Sequence, residues 1–218
     1  WNFGIIDMCG FPKDHYYFYQ SQWTDKPMVH ILPHWNWEGK EGVEIPVVAY
    51  SNCESVELFL DDQSLGEKKM GDAMDLVWLV PYEAGILKAV GKNQGKQACE
   101  KIVETSGNPK KIQLLVDREI INADNQDVVH IEVNILDAQN RFVPDADNNI
   151  TFKVEGDATI LAVDNGDPMS QEEFIGDTRK AFNGKCLLIL KSSNKQGPVK
   201  VSVSSDGLEE NHVSIQLR

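Results

Sequence analysis

Carboxylates, histidines and oxygen-rich turns are the side chains of this 218-residue chain whose types and spacing could do chemistry. Glu38, Glu41 and Glu44 stand close together. Glycoside hydrolysis uses two carboxylates, about 5–5.5 Å apart for retention and about 6.5–9.5 Å apart for inversion. These three lie where a loop passes into a strand, at the spacing of a solvated face, so no catalytic residue is assigned. His30 and His34 are four apart. A zinc-protease pair would need a glutamate after the first histidine, on a helix. Ile31 stands there and Pro33 forbids a helix interior, which leaves loop or core histidines. Asp164-Asn165-Gly166-Asp167 and Asp145-Ala146-Asp147-Asn148 have the oxygen-rich composition of calcium loops. Neither has the full spacing with a glutamate as twelfth ligand. Asx turns account for both without metal, so neither a metal nor a cofactor is expected.

The sequence contains no nucleophile elbow, phosphate-binding glycine loop or dinucleotide fingerprint. The aromatic residues are the remaining candidates, and more than half of them fall within the first 37 positions. Trp35 and Trp37, at i and i+2, would share one face of a strand, where two indoles could stack on sugar rings. The four cysteines, Cys9, Cys53, Cys99 and Cys186, show no CxxC spacing, which excludes zinc ribbons and redox motifs. Cys53 and Cys99 could bridge if their strands are neighbours; otherwise all four read as small buried hydrophobes.

Three kinds of element must position these residues. Phe3–Met8 reads as a buried strand end, and Pro12 suits the first position of a helix over Lys13–Trp23, with Asp14 in its first turn. Tyr16, Tyr19 and Trp23 share one face of that helix. One strand and one helix cannot bury that face alone, so the helix is expected to drape over the first sandwich or to make a dimer contact in a crystal. From Met28 to Thr105 the pattern is all-β, with strands at Glu44–Tyr50, Val56–Leu60, Leu76–Val80, Ile86–Val90 and Ala98–Val103 and a turn at Asp61-Asp62. Short strands with a central tryptophan suggest an immunoglobulin-like sandwich. Ser106-Gly107-Asn108-Pro109 reads as a linker. Beyond it, alternation at Ile112–Val116, Val129–Ile135, Val199–Val203 and Val213–Leu217, the segments Ile150–Val154 and Thr159–Val163, and the continuous run Cys186–Leu190 predict a second sandwich. The boundaries are 1–27, 28–107 and 108–218.

Composition limits the partners. The chain is 41% hydrophobic and 25% charged, enough apolar material for packed cores. Its net charge of −13 is spread evenly and repels phosphate backbones and anionic membranes, so nucleic acid is excluded as a partner, while neutral sugars remain compatible. No apolar run reaches the roughly 18 residues of a membrane span. The first residue is Trp1, without a methionine or a leader, so a piece of a longer protein is expected, with any signal peptide upstream.

Phe3-Gly4-Ile5-Ile6-Asp7-Met8-Cys9-Gly10-Phe11-Pro12-Lys13-Asp14, running into Tyr16–Trp23, resembles the end of the catalytic barrel of bacterial β-galactosidases in glycoside hydrolase family 2. His30–Gly39 is similar to the start of the sandwich that follows that barrel. Ser51–Leu60 with Ser64-Leu65-Gly66 resembles its first hairpin. Val163–Pro168 and Ala181–Cys186 resemble the final accessory sandwich. The resemblance spans nearly the whole chain, in the family's order. It implies an all-β fold of two tandem immunoglobulin-like sandwiches, preceded by a strand-plus-helix remnant of a TIM barrel in which Trp1–Asp7 sits near the end of the last barrel strand. It also implies that the nucleophile and acid/base glutamates lie upstream of Trp1 and map to no residue here.

The reading that follows is the accessory region of an exo-acting galactosidase. Its partners would be the upstream barrel, a galactoside-type carbohydrate in the intact enzyme and a second copy in a homodimer, and its place the periplasm or cell surface. The alternatives are a carbohydrate-binding module using Trp35 and Trp37, favoured if both rings are exposed, and a segment of a bacterial surface adhesin.

Overall fold

The computed structural model describes residues 4–218. They divide into two compact units. One comprises 4–6 and Pro12–Thr105, the other Asp7–Phe11 and Ser106–Arg218.

The first unit opens with helix α1 (Asp14–Trp23), followed by β1 (Val29–Leu32), β2 (Glu44–Ser51), β3 (Ser55–Leu60), β4 (Gln63–Lys69), β5 (Leu76–Pro81), β6 (Ile86–Asn93) and β7 (Lys96–Glu104). The strands pair antiparallel in two sheets, β1-β2-β5 and β4-β3-β6-β7. Alternation dictates the core. Ile45, Val47 and Ala49 of β2 face Leu76, Trp78 and Val80 of β5 across the ladder, and all six are buried with Val56, Leu58, Leu87 and Ala89 of the other sheet. Asp61 and Asp62, at φ of 46° and 63°, form the two-residue turn between β3 and β4, where positive φ matches the right-handed strand twist. Strand β4 carries no sequence signal of its own. Its exposed residues are almost all polar, and it exists because β3 offers it a ladder.

The second unit contains β8 (Lys111–Val116), β9 (Ile120–Ile121), β10 (Val128–Leu136), β11 (Asn149–Glu155), β12 (Ala158–Asp164), β13 (Thr178–Lys180), β14 (Lys185–Ser192), β15 (Gly197–Ser204) and β16 (Asn211–Leu217). Its sheets run β12-β14-β10-β8 and β13-β11-β15-β16-β9. The continuous apolar run in β14 lies between β12 and β10, as a run buried on both faces should. Val129, Ile131, Val133 and Ile135 of β10 meet Val199, Val201 and Val203 of β15 in one core, all of them fully buried. The all-β, two-sandwich expectation therefore holds.

The N-terminal expectations hold only in part. Trp1, Asn2 and Phe3 lie outside the described residues. Within 4–8 no strand forms, and Ile6 and Met8 are exposed. The reason is Asp7. Its Oδ1 accepts the backbone N–H groups of Cys9 and Phe11 at 2.9 and 2.8 Å, which curls the chain into an Asx turn, and Ile6 bridges Pro12. No barrel strand is formed among the described residues. Nor does Pro12 take the first helical position. The Lys13 N–H donates to the Ile5 carbonyl at 3.0 Å, holding Lys13 extended as the N-cap, so the helix begins at Asp14. No helix among the described residues is long and apolar enough to cross a membrane.

Candidate functional site

One surface, the segment around Trp35 and Trp37, and one buried network hold most of the residues singled out by sequence. The surface is built by α1. The helix lies on the outward face of the β1-β2-β5 sheet. The Tyr17 ring stacks on His30 of β1 at 3.8 Å between centroids, Phe18 meets Tyr50 of β2 edge-on at 5.4 Å, and the His30 ring is 3.0 Å from Asp14 Oδ1. His30 is thus held by an aromatic ring and a carboxylate, half-buried on a strand rather than in a loop or the core. Ser21 is the buried residue of the helix and Tyr17 and Phe18 lie half-buried against the sheet, whereas Tyr19 and Trp23 of the expected face are exposed. Trp23 is 77% exposed and packs on Tyr19. The helix covers only one end of the sheet. Beside it the register pairs Val48 with Val77 and Pro46 with Leu79, outward on β2 and β5, and Leu79 is 63% exposed. Antiparallel sheets normally turn polar residues outward, so this is an apolar face that no described residue covers.

The tryptophan pair separates. Trp35 and Trp37 follow a cis Leu32–Pro33 bond and lie on no strand, so the i, i+2 rule does not bring their faces together. Trp35 has no exposed surface. Its indole N–H donates to the Glu83 carbonyl at 3.0 Å, its ring meets Tyr82 edge-on, and Thr105 Oγ1 donates to its carbonyl at 2.6 Å. It is a core anchor, and the two-ring surface strip is not formed. Trp37 is half-buried, stacks on His34 at 4.9 Å and carries the Lys40 ammonium 5.0 Å from its ring centre. Glu38, Glu41 and Glu44 are exposed, as a solvated face should be.

The buried network lies in the second unit, around Arg179 of β13, which is 1% exposed. Its Nη2 donates to Asp164 Oδ1 at 2.9 Å and to Asn165 Oδ1 at 3.1 Å. Nη1 donates to the carbonyls of Glu172 and Glu173, while Nε has no hydrogen bond and finds only Glu172 Oε2 at 3.7 Å. Asp164 also accepts the Asn165 N–H, and Asn165 accepts the Asp167 N–H and donates to the Lys180 carbonyl. The oxygens that resembled a calcium loop therefore surround a guanidinium. Among the described residues no three histidine, cysteine or acidic side chains come together to hold a metal ion. The Asp7 turn closes over this network. Gly166, at φ +75°, leaves no room for a Cβ beside the Asp7 carboxylate. Burial, then the Asp164 and Asp7 carboxylates, push the Cys9 thiol far up, so it stays protonated. The sequence gives no sign that Arg179 pairs with Asp164, fifteen positions away; Asp164 ends β12 in one sheet and Arg179 lies on β13 in the other, so the packing of the two sheets brings them together.

The Arg179 network is spent on holding turns of its own sandwich. Residues 112–214 match the family described as glycoside hydrolase family 2 C-terminal domain 5, and residues 42–99 match a family described as a domain of unknown function. The β-galactosidase BoGH2A of Bacteroides ovatus is 43% identical over 210 residues, covering 95% of this chain and 24% of that protein. A β-glucuronidase of Formosa agariphila is 28% identical over 220 residues, covering 99% of this chain and 22% of that protein. The crystal structure of a β-glycosidase from Bacteroides vulgatus superposes with a TM-score of 0.96 at 40% identity, over 99% of this chain and 28% of that one. A family 2 glycosyl hydrolase from Bacteroides cellulosilyticus gives 0.94 at 33% identity, over 99% and 31%. The chain thus spans about a quarter of the length of the curated relatives it matches. It belongs to the C-terminal region of the family 2 glycoside hydrolases.

Proposed function

We propose that this chain is the non-catalytic support of a larger, β-galactosidase-like exo-glycosidase, and that it docks on the catalytic region of the same protein through α1 and the open part of the β1-β2-β5 sheet. The uncovered apolar face carries this reading. On a chain of net charge −13, outward Val77, Leu79, Pro46 and Val48 beside exposed Trp23 need a partner surface that removes them from water. The match to a quarter of much longer relatives supports an intramolecular partner. The chemistry would be supplied by two glutamates of that partner, in the retaining manner.

The test is hydrolysis of an aryl β-galactoside by this chain, by the whole protein, and by the whole protein carrying Leu79→Asp. Turnover only by the whole protein is expected, with the variant less active or less heat-resistant than wild type. Turnover by the short chain alone, persisting through purification, would overturn the assignment. An unaffected Leu79→Asp enzyme would remove the docking face. Sugar binding by this chain in its own right would have to use Trp37, since Trp35 has no free face, and Trp37→Ala in a galactoside titration reports on it.

A further inference from the structure

Cys53 and Cys99 stand forty-six positions apart, and their sulfurs are 3.5 Å apart. Cys53 sits in the bend between β2 and β3 and is 3% exposed. Its N–H donates to Ser51 Oγ, and its thiol lies 3.9 Å from the Met28 carbonyl. Cys99 lies on β7, the edge strand of its sheet, and is partly exposed. Between them on β6 is Gly91, paired with Cys99 on one side and with Val56 on the other. A Cβ at Gly91 would fall 2.6 Å from the Cys99 sulfur and 2.8 Å from the Cys53 sulfur. Any residue larger than glycine would therefore occupy the space in which the two sulfurs meet. The β6–β7 register also slips next to this pair, at Gly91/Lys92, where Ala98 is the extra residue on β7. A bulge on an edge strand is where backbone gives most easily.

We infer that Cys53 and Cys99 are a paired oxidation site, converted to an intramolecular disulfide by exchange with a small external disulfide such as glutathione disulfide. A disulfide needs its sulfurs about 2.05 Å apart, so they must approach by about 1.5 Å, within reach of an edge strand. The partly exposed Cys99 is the point of attack. As a thiolate it displaces one glutathione thiolate and forms a mixed disulfide. The Cys53 thiolate then attacks Cys99 Sγ, forms the internal bond and releases the second glutathione. Two protein thiols and one external disulfide become one protein disulfide and two free thiols, each carrying one of the two protons. Burial, followed by the hydrogen bond shared with Cys53, pushes the Cys99 thiol up to about 12, so the thiolate is scarce at neutral pH. The exchange should therefore be slower at neutral pH than the minutes to hours of ordinary uncatalysed reactions of this type, and should quicken as pH rises. Cys186 serves as an internal control, being fully buried in the other unit.

The experiment incubates the protein with glutathione disulfide at pH 9, blocks remaining thiols with iodoacetamide in denaturant and maps cysteine peptides by mass spectrometry. A Cys53–Cys99 linked peptide is expected, with alkylation lost at both positions, Cys186 unlinked and the protein no larger by gel filtration. Cys53→Ser should stop at a mixed disulfide on Cys99, and Cys99→Ser should leave Cys53 unmodified. Gly91→Ala, if it folds, should abolish the link. Wild-type protein that accumulates stable glutathione on Cys99, or keeps both thiols alkylatable after a day, would overturn the inference.

Discussion

The Arg179 guanidinium and the Asp164 carboxylate, 2.9 Å apart and each largely removed from water, form the pair on which the Asx turns of the second sandwich are built. Asn165, Glu172 and Glu173 complete the shell, and Phe174 lies against the guanidinium. Removing one partner of such a pair leaves the other charge buried without compensation. Arg179→Ala should therefore cost about 3–5 kcal/mol of stability. Urea denaturation checks this; a loss below about 1 kcal/mol would mean that solvent reaches Asp164 readily.

Asp137 makes stability depend on acid. Burial alone would raise its carboxyl, but N–H groups of Gly107, Arg141 and Gln139 at 2.8–2.9 Å and the Arg141 guanidinium at 2.7 Å outweigh it and hold the group at about 2. The folded value lies below the unfolded one. The stabilisation is thus fully present above pH ~4 and is lost as pH falls towards about 2, amounting to roughly 2 kcal/mol. Melting temperature followed from pH 5 to pH 2 should fall, and Asp137→Asn should flatten that part of the curve.

Trp35 and Trp37 should behave oppositely under substitution. Trp35→Ala opens a cavity in a closed core and unpairs the Glu83 carbonyl, at a cost of about 3–5 kcal/mol. Trp37→Ala removes a half-buried ring and should cost about 1 kcal/mol or less. Equal losses in chemical denaturation would contradict the burial of Trp35.

Gly184 is fixed by its backbone. It sits at φ +75° in the Phe182–Lys185 turn, and a Cβ there would overlap the Val143 carbonyl and press on the Phe142 ring. Gly184→Ala should destabilise the second sandwich by more than about 1 kcal/mol. By contrast, Gly95→Ala, where a Cβ meets open space, pays only for its positive φ. Thermal unfolding of the two variants gives the ranking.

Much of this molecule is already determined by its sequence. Period-two alternation places Ile45, Val47 and Ala49, or Val199, Val201 and Val203, on one face regardless of what lies opposite, because a strand has no other way to arrange them. The aspartate pair at Asp61-Asp62 fixes a hairpin turn for the same local reason. Tertiary structure decided the rest. β4 has no apolar pattern and is a strand only because β3 pairs with it. Asp7 turned an apolar run into an Asx turn, since a carboxylate that can accept two N–H groups outweighs the strand preference of its neighbours. Which tryptophan is core, which helical face is covered, whether Arg179 reaches Asp164 and whether Cys53 meets Cys99 all depend on contacts between residues far apart in the chain. Spacing along a sequence sets the direction of a side chain within its own element. What that side chain meets is set by how the elements pack.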